Sequence, residues 1–106
     1  MRSGEGWNHS VHYHDTLLRS VPAGCHRVLD AGCGEGLLAR KLATQCREVV
    51  AIDLDHTSLE RARTLSTRDS RIVYIEGDVM TYPFPNESFD CITSIATLII
   101  CRAWKR

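Results

Sequence analysis

Val28-Leu29-Asp30-Ala31-Gly32-Cys33-Gly34-Glu35-Gly36 is the stretch that decides the fold. The short apolar run Arg27-Val28-Leu29-Asp30 enters a cluster of glycines, and Leu37, Leu38 and Leu42 follow at helical spacing with Arg40 and Lys41 beside them. The unit reads strand, glycine turn, helix. Glycines let the backbone approach a ligand closely, and the N-terminus of a helix offers unpaired N–H groups. Such a turn is a cradle for a small molecule or, in the plainer reading, a tight joint between a strand and a helix.

Upstream, Ser10 is placed to cap a helix carrying Val11, His14, Leu17, Leu18 and Val21 on one face, stopped by Pro22-Ala23-Gly24. Downstream, Glu48-Val49-Val50-Ala51-Ile52-Asp53 is a continuous, largely β-branched run, as expected of a strand buried on both faces. Thr57 and Glu60 are spaced as a capping box for a further helix that continues through Leu59, Ala62, Arg63 and Leu65. Arg71 to Ile75 reads as a third strand. Two prolines make Tyr82-Pro83-Phe84-Pro85-Asn86-Glu87-Ser88 a loop, and Phe89 to Ser94 reads as a fourth strand. Strands alternating with helices imply right-handed βαβ crossovers and a mainly parallel sheet, an α/β fold in strand order 3-2-1-4 with helices on both faces.

Composition narrows the function. Thirteen Lys and Arg balance thirteen Asp and Glu, so the formal charge of zero gives no footprint for nucleic acid or anionic lipid. The longest apolar stretch, Phe89 to Cys101, is interrupted by Asp90, Thr93, Ser94 and Thr97 and falls short of the roughly 20 residues of a spanning helix. No membrane segment is expected, and the polar start argues against a signal peptide and for the cytoplasm. Five cysteines without a C-x-x-C pair argue for reduced, buried thiols rather than a disulfide framework or a zinc site. His9, His12 and His14 lack a defined metal-ligand spacing, so no metal is expected.

An acid closing the second strand, Asp53, stands where nucleotide-binding sheets accept hydrogen bonds from a ribose diol. A nicotinamide dinucleotide site would need G-x-G-x-x-G for its pyrophosphate, whereas the glycines here fall as G-x-G-x-G. Asp30 before the turn suits a ligand bearing an ammonium group better than a diphosphate.

These residues carry a family resemblance. Val28 to Gly36 resembles the first motif of class I S-adenosylmethionine-dependent methyltransferases, and Val50-Ala51-Ile52-Asp53-Leu54-Asp55 resembles their second-strand motif. Glu76-Gly77-Asp78-Val79 is similar to their adenine-side acid, and Pro83 to Asp90 to their entry into strand four. Four motifs in order, over Arg27 to Leu98, are far more specific than one glycine turn. The resemblance implies a Rossmann-like methyltransferase fold and S-adenosylmethionine as cofactor, and the lack of a basic surface favours a small-molecule methyl acceptor over protein or nucleic acid. It also implies that Gly32, Cys33 and Gly34 lie against methionine and ribose, that Asp53 takes the ribose hydroxyls, and that Asp78, Val79 and Leu54 surround the adenine. The plainer roles stay open: Asp53 as a helix cap, Asp78 in an Asx turn and Cys33 as a small filler. His9, His12, Tyr13 and His14 are candidate bases, because the family's N-terminal helix often lies over the acceptor pocket, and Trp7 is a candidate lid residue.

The resemblance stops after strand four. One domain is expected, with residues 1–26 as N-terminal helix and lid, 27–98 as cofactor-binding core and 99–106 as an atypical tail. Relatives commonly have two histidines where Ile99 and Ile100 stand, and loss of one base from CAT CAT would read Ile-Ile, so a frameshift is expected there. A natural short form or a deliberate truncation is the alternative. A sheet truncated after strand 4 would leave that strand as an open edge and invite self-association through it. The competing functional reading is a non-catalytic fragment that only binds cofactor or pairs with another chain.

Overall fold

The computed structural model describes residues 14–66, 71–85, 88–94 and, as backbone, 97–101. Helix α1 covers residues 14–20, and Val21 and Cys25 pack inward as the chain turns into β1 (Arg27–Ala31). α2 (Leu37–Leu42), β2 (Glu48–Asp53), α3 (His56–Leu65), β3 (Ile72–Glu76), β4 (Cys91–Ser94) and β5 (Thr97–Cys101) follow. The sheet order is β3-β2-β1-β4-β5, parallel throughout except that β5 runs antiparallel to β4. The parallel order 3-2-1-4 read from the sequence is the observed one. Ser10 and Val11, placed at the start of the first helix, lie outside the described residues, as do His9, His12, Tyr13 and Trp7.

Two expectations change. β4 is not an open edge, because Ser94 pairs with Thr97 and Cys91 with Cys101, so its backbone groups are taken up by β5 and the expected self-association through strand 4 has no free ladder to use. The described helices do not lie on both faces either. Leu17, Leu38, Ala39, Leu42 and Leu59 from all three join one buried cluster with Val28, Val49, Ala51 and Cys91. Leu29, Val50 and Ile52 point the other way, since alternate residues of a strand face opposite sides. That second face is covered by a loop. Phe89 is buried there, Val79 and Phe84 pack against it, and Phe84 meets Phe89 edge-on with centroids 5.2 Å apart.

Leu42, Ile52, Leu59, Val28 and Val49 have almost no exposed surface, and each such side chain contributes about 1.5–3 kcal/mol by leaving water. Asp90 fastens the far end of the sheet. One of its oxygens accepts the backbone N–H groups of His26 and Arg27 at 2.8 and 3.0 Å, which sets β4 beside β1. Among the described residues no helix is long and apolar enough to cross a membrane.

Candidate cofactor site

The carboxyl ends of β1, β2 and β3 carry the site. After β1 the chain turns through Gly32, Gly34 and Gly36, whose φ angles of 78°, 56° and 85° lie in the left-handed region that favours glycine. At Gly36 freedom of φ is not the only need: a Cβ there would stand 2.6 Å from the Tyr74 hydroxyl and 3.1 Å from the Ala62 Cβ. The turn is pinned to its neighbour, because the N–H groups of Gly32 and Cys33 both donate to the Ile52 carbonyl, at 2.8 and 3.1 Å. Behind it, Arg40 Nη1 donates to the Glu35 carbonyl at 2.8 Å, and the hydroxyls of Tyr74 and Ser66 are 2.8 Å apart.

Asp53 ties two turns together. Its Oδ2 accepts from the Gly34 N–H and its Oδ1 from the Asp55 N–H, both at 2.8 Å. It caps no helix; Asp55 does. Asp55 accepts from the Ser58 N–H at 3.1 Å and from the Ser58 hydroxyl at 2.6 Å, so α3 starts at His56 and the capping box expected at Thr57 and Glu60 is not the one used. Those same bonds hold the Asp55 carboxyl below the usual carboxylate range. Leu54, between the two acids, is 70% exposed, which is unusual for a leucine beside a buried strand.

Asp30 behaves differently. It is buried, its Oδ1 accepts from the Thr93 hydroxyl at 3.2 Å, and among the described residues its equally buried Oδ2 has no hydrogen-bond partner. Burial, reinforced by the nearby Asp53 charge and only partly offset by the Thr93 hydroxyl, pushes its pKa up to about 7. Burial and the charges of Asp30 and Asp53 push the Cys33 thiol up to about 12, so Cys33 is a thiol at neutral pH and no nucleophile.

Across from β2, the Gly77 N–H donates to the Asp53 carbonyl at 2.9 Å and brings Asp78 and Val79 to the same end of the sheet. Asp78 is exposed and its Oδ1 accepts from the Met80 N–H at 2.9 Å, the Asx turn that was one of its two readings. Val79 packs on the loop side of the sheet. A cleft of about 270 Å³ opens over the glycine turn, lined by His14, Asp30, Gly32, Cys33, Glu35, Leu37 and Leu38. Among the described residues no group of three or more His, Cys, Asp or Glu could hold a metal.

Hydrogen bonds thus tie Gly32 and Cys33 to Ile52 and Gly34 to Asp53, Asp30 is buried below the same turn on Thr93, and Asp78 and Val79 follow β3 at the same end of the sheet. Thr93 was missed: it is a buried strand hydroxyl in register with Asp30. Of the candidate bases, His14 lines the cleft.

A turn of this kind on a 3-2-1-4 parallel sheet, with an acid after the second strand, defines a nucleoside-binding α/β domain. The methyltransferase domain model matches residues 28–106, and the chain belongs to the class I S-adenosylmethionine-dependent methyltransferase family as the N-terminal part of its domain. It is 42% identical over 92 residues to an uncharacterised methyltransferase of Mycobacterium tuberculosis, covering 87% of this chain and 46% of that one. It is 37% identical over 84 residues to a demethylmenaquinone methyltransferase of Roseiflexus, covering 78% and 35%. The N-methyltransferase NodS of Bradyrhizobium japonicum, solved with S-adenosylhomocysteine, superposes with a TM-score of 0.68 at 28% identity, covering 76% of this chain and 41% of NodS. The chain spans about half the length, or less, of the curated relatives it matches.

Proposed function

We propose that this chain is the cofactor-binding part of an S-adenosylmethionine-dependent methyltransferase acting on a small molecule in the cytoplasm. The observation that carries the reading is Asp30: a buried carboxyl with one unpartnered oxygen, lining a cleft over a glycine turn. A cationic group of a ligand would satisfy that oxygen and favour its charged form, which is the need that the ammonium of S-adenosylmethionine fits. Cys25, Cys33, Cys46 and Cys91 are buried and carry thiols, in agreement with a reducing compartment.

In this reading Gly32, Cys33 and Gly34 present backbone to the methionine and ribose, and Asp53 accepts the ribose hydroxyls with the lone pairs that Gly34 and Asp55 leave to it. Leu54 covers one adenine face, the second oxygen of Asp78 accepts the adenine amino group, and the Val79 N–H lies beside the ring. When bound, the cofactor supplies a methyl group already activated by its sulfonium. The protein's own task is to position the acceptor and exclude water, and it needs no nucleophile. Calorimetric titration of the chain with S-adenosylhomocysteine tests this. Saturable one-to-one binding is expected, and a folded chain that takes up none would overturn the proposal. Turnover of radiolabelled S-adenosylmethionine against a panel of small phenols, amines and carboxylates, on a chain carrying the remainder of the domain, separates an enzyme from a module that only binds.

A further inference from the structure

Thr93 stands beside Asp30 on β4, in register with it and with no exposed surface. Its hydroxyl lies 3.2 Å from Asp30 Oδ1 and 3.4 Å from the Leu29 carbonyl oxygen. A hydroxyl has one proton to give and two lone pairs, so it cannot serve both acceptors at full strength. Both contacts are longer than the about 2.7–2.8 Å usual for a hydroxyl donor, as befits a shared proton. When Asp30 is ionised its carboxylate is the stronger acceptor, and the proton turns to Oδ1. When Asp30 is neutral, the hydroxyl turns to the Leu29 carbonyl and offers the acid a lone pair instead. Thr93 therefore partners one oxygen of Asp30 in either charge state, while Oδ2 has no partner among the described residues. The surroundings balance the two states. Burial and the charge of Asp53 on the neighbouring turn favour the neutral acid, and the Thr93 hydroxyl favours the carboxylate. Cys33 above is an uncharged thiol, and Glu35 and His14 line the same cleft, with Lys41 3.4 Å from the His14 ring.

We infer that Thr93 is a positioning residue for cofactor uptake: its two-way hydroxyl lets Asp30 stand as the neutral acid in the empty site and pass to the carboxylate when a cation arrives, so that binding expels a proton. This rests on the methyltransferase reading, which brings an ammonium group to Asp30. The exchange balances, since the acid O–H bond breaks, its proton leaves to solvent and the ammonium takes its place beside the carboxylate. Thr93 touches no ligand in this scheme and acts through Asp30 alone.

Calorimetry in buffers of different ionisation enthalpy counts the protons released. S-adenosylhomocysteine is expected to release close to one at about pH 6 and almost none well above pH 7, and 5′-methylthioadenosine, which lacks the ammonium, none at either. Thr93→Val keeps the branched shape without the hydroxyl. It is expected to weaken S-adenosylhomocysteine about tenfold at pH 7 and to move proton release to higher pH, because a hydrogen bond to the charged form is lost. Thr93→Ser, which keeps the hydroxyl, should restore both. Without ligand, the carboxyl carbon of Asp30, assigned by nuclear magnetic resonance through Asp30→Asn, should titrate at higher pH in Thr93→Val than in the parent. Identical titrations in two folded chains overturn the inference, as does a loss of affinity in Thr93→Val that is equal at every pH and reduces Thr93 to packing. Binding by the parent without proton release also strikes this inference and leaves the methyltransferase reading standing, whereas a folded parent that binds no S-adenosylhomocysteine strikes both.

Discussion

The turn after β1 and the turn after β2 stand side by side at one end of the sheet and treat their acids in opposite ways. Asp30 is sunk beneath the first turn with one oxygen unpartnered among the described residues, and its proton is held up to about pH 7. Asp53 and Asp55, on the second, already have backbone N–H partners, and Asp55 is held ionised. One turn has a buried polar need that a ligand can meet; the other has its backbone partners in place, which makes it rigid and leaves only the remaining lone pairs of Asp53 to a ligand. A binding site therefore has its unsatisfied group under the glycines, while the acid closing β2 fixes where those glycines lie.

The sharpest way to break this contrast is Asp53→Ala. It removes both the proposed ribose acceptor and the anchor of the Gly34 N–H, so affinity for S-adenosylhomocysteine should fall by one to two orders of magnitude, about 1.5–3 kcal/mol. Titration and thermal unfolding on the same sample separate the two roles, and an unchanged affinity would remove Asp53 from the site. Gly36→Ala comes next, since it combines a positive φ with a collision against Tyr74, and about 1–3 kcal/mol of stability should be lost in denaturant unfolding. A variant as stable as the parent would show that the turn is not held against β3 and α3.

Asp30 and Asp55 should give pH slopes of opposite sign. The folded-state pKa of Asp30 is raised from 3.8 to about 7, so the native chain binds more protons than the unfolded one across that window and stability falls as pH rises through it. Asp30→Asn should flatten this part of a melting profile, and parallel profiles would contradict the assignment. The folded-state pKa of Asp55 is lowered, so its contribution is present above the ordinary carboxylate range and is lost as pH falls through the folded value. Asp55→Ala should lower the melting temperature by a few degrees at neutral pH and leave ligand affinity nearly unchanged; a large affinity loss would move Asp55 into the site.

The glycine spacing and the β-branched run to Asp53 make β1, β2 and the turn between β1 and α2 legible in the sequence, because both are local demands of backbone and burial. The start of α3 was not readable in the same way. Asp55 and Thr57 are both good caps, and the choice was made by Asp53, which holds the Asp55 N–H and leaves Asp55 to begin the helix. The one-sided placement of the helices was hidden too, because Phe84 and Phe89 cover the second face from a loop with no periodicity to announce it. The state of the Asp30 carboxyl could not be read at all, since pairing across the sheet brings Thr93 to one oxygen while packing buries the other without a partner among the described residues.

The position of β1 also bears on the order in which the chain folds. Val28 has Val49 on one side and Cys91 on the other. The first neighbour follows after a single helix, whereas the second lies beyond β2, α3 and β3, so closing that flank carries the greater loop-closure entropy. β4 brings β5 with it as a local antiparallel partner. During synthesis β1, β2 and β3 can assemble early, with the open flank of β1 waiting for a preformed β4–β5 pair. Thr93 arrives on that pair, so the Asp30 carboxyl gains this hydroxyl partner only when β4 docks against β1.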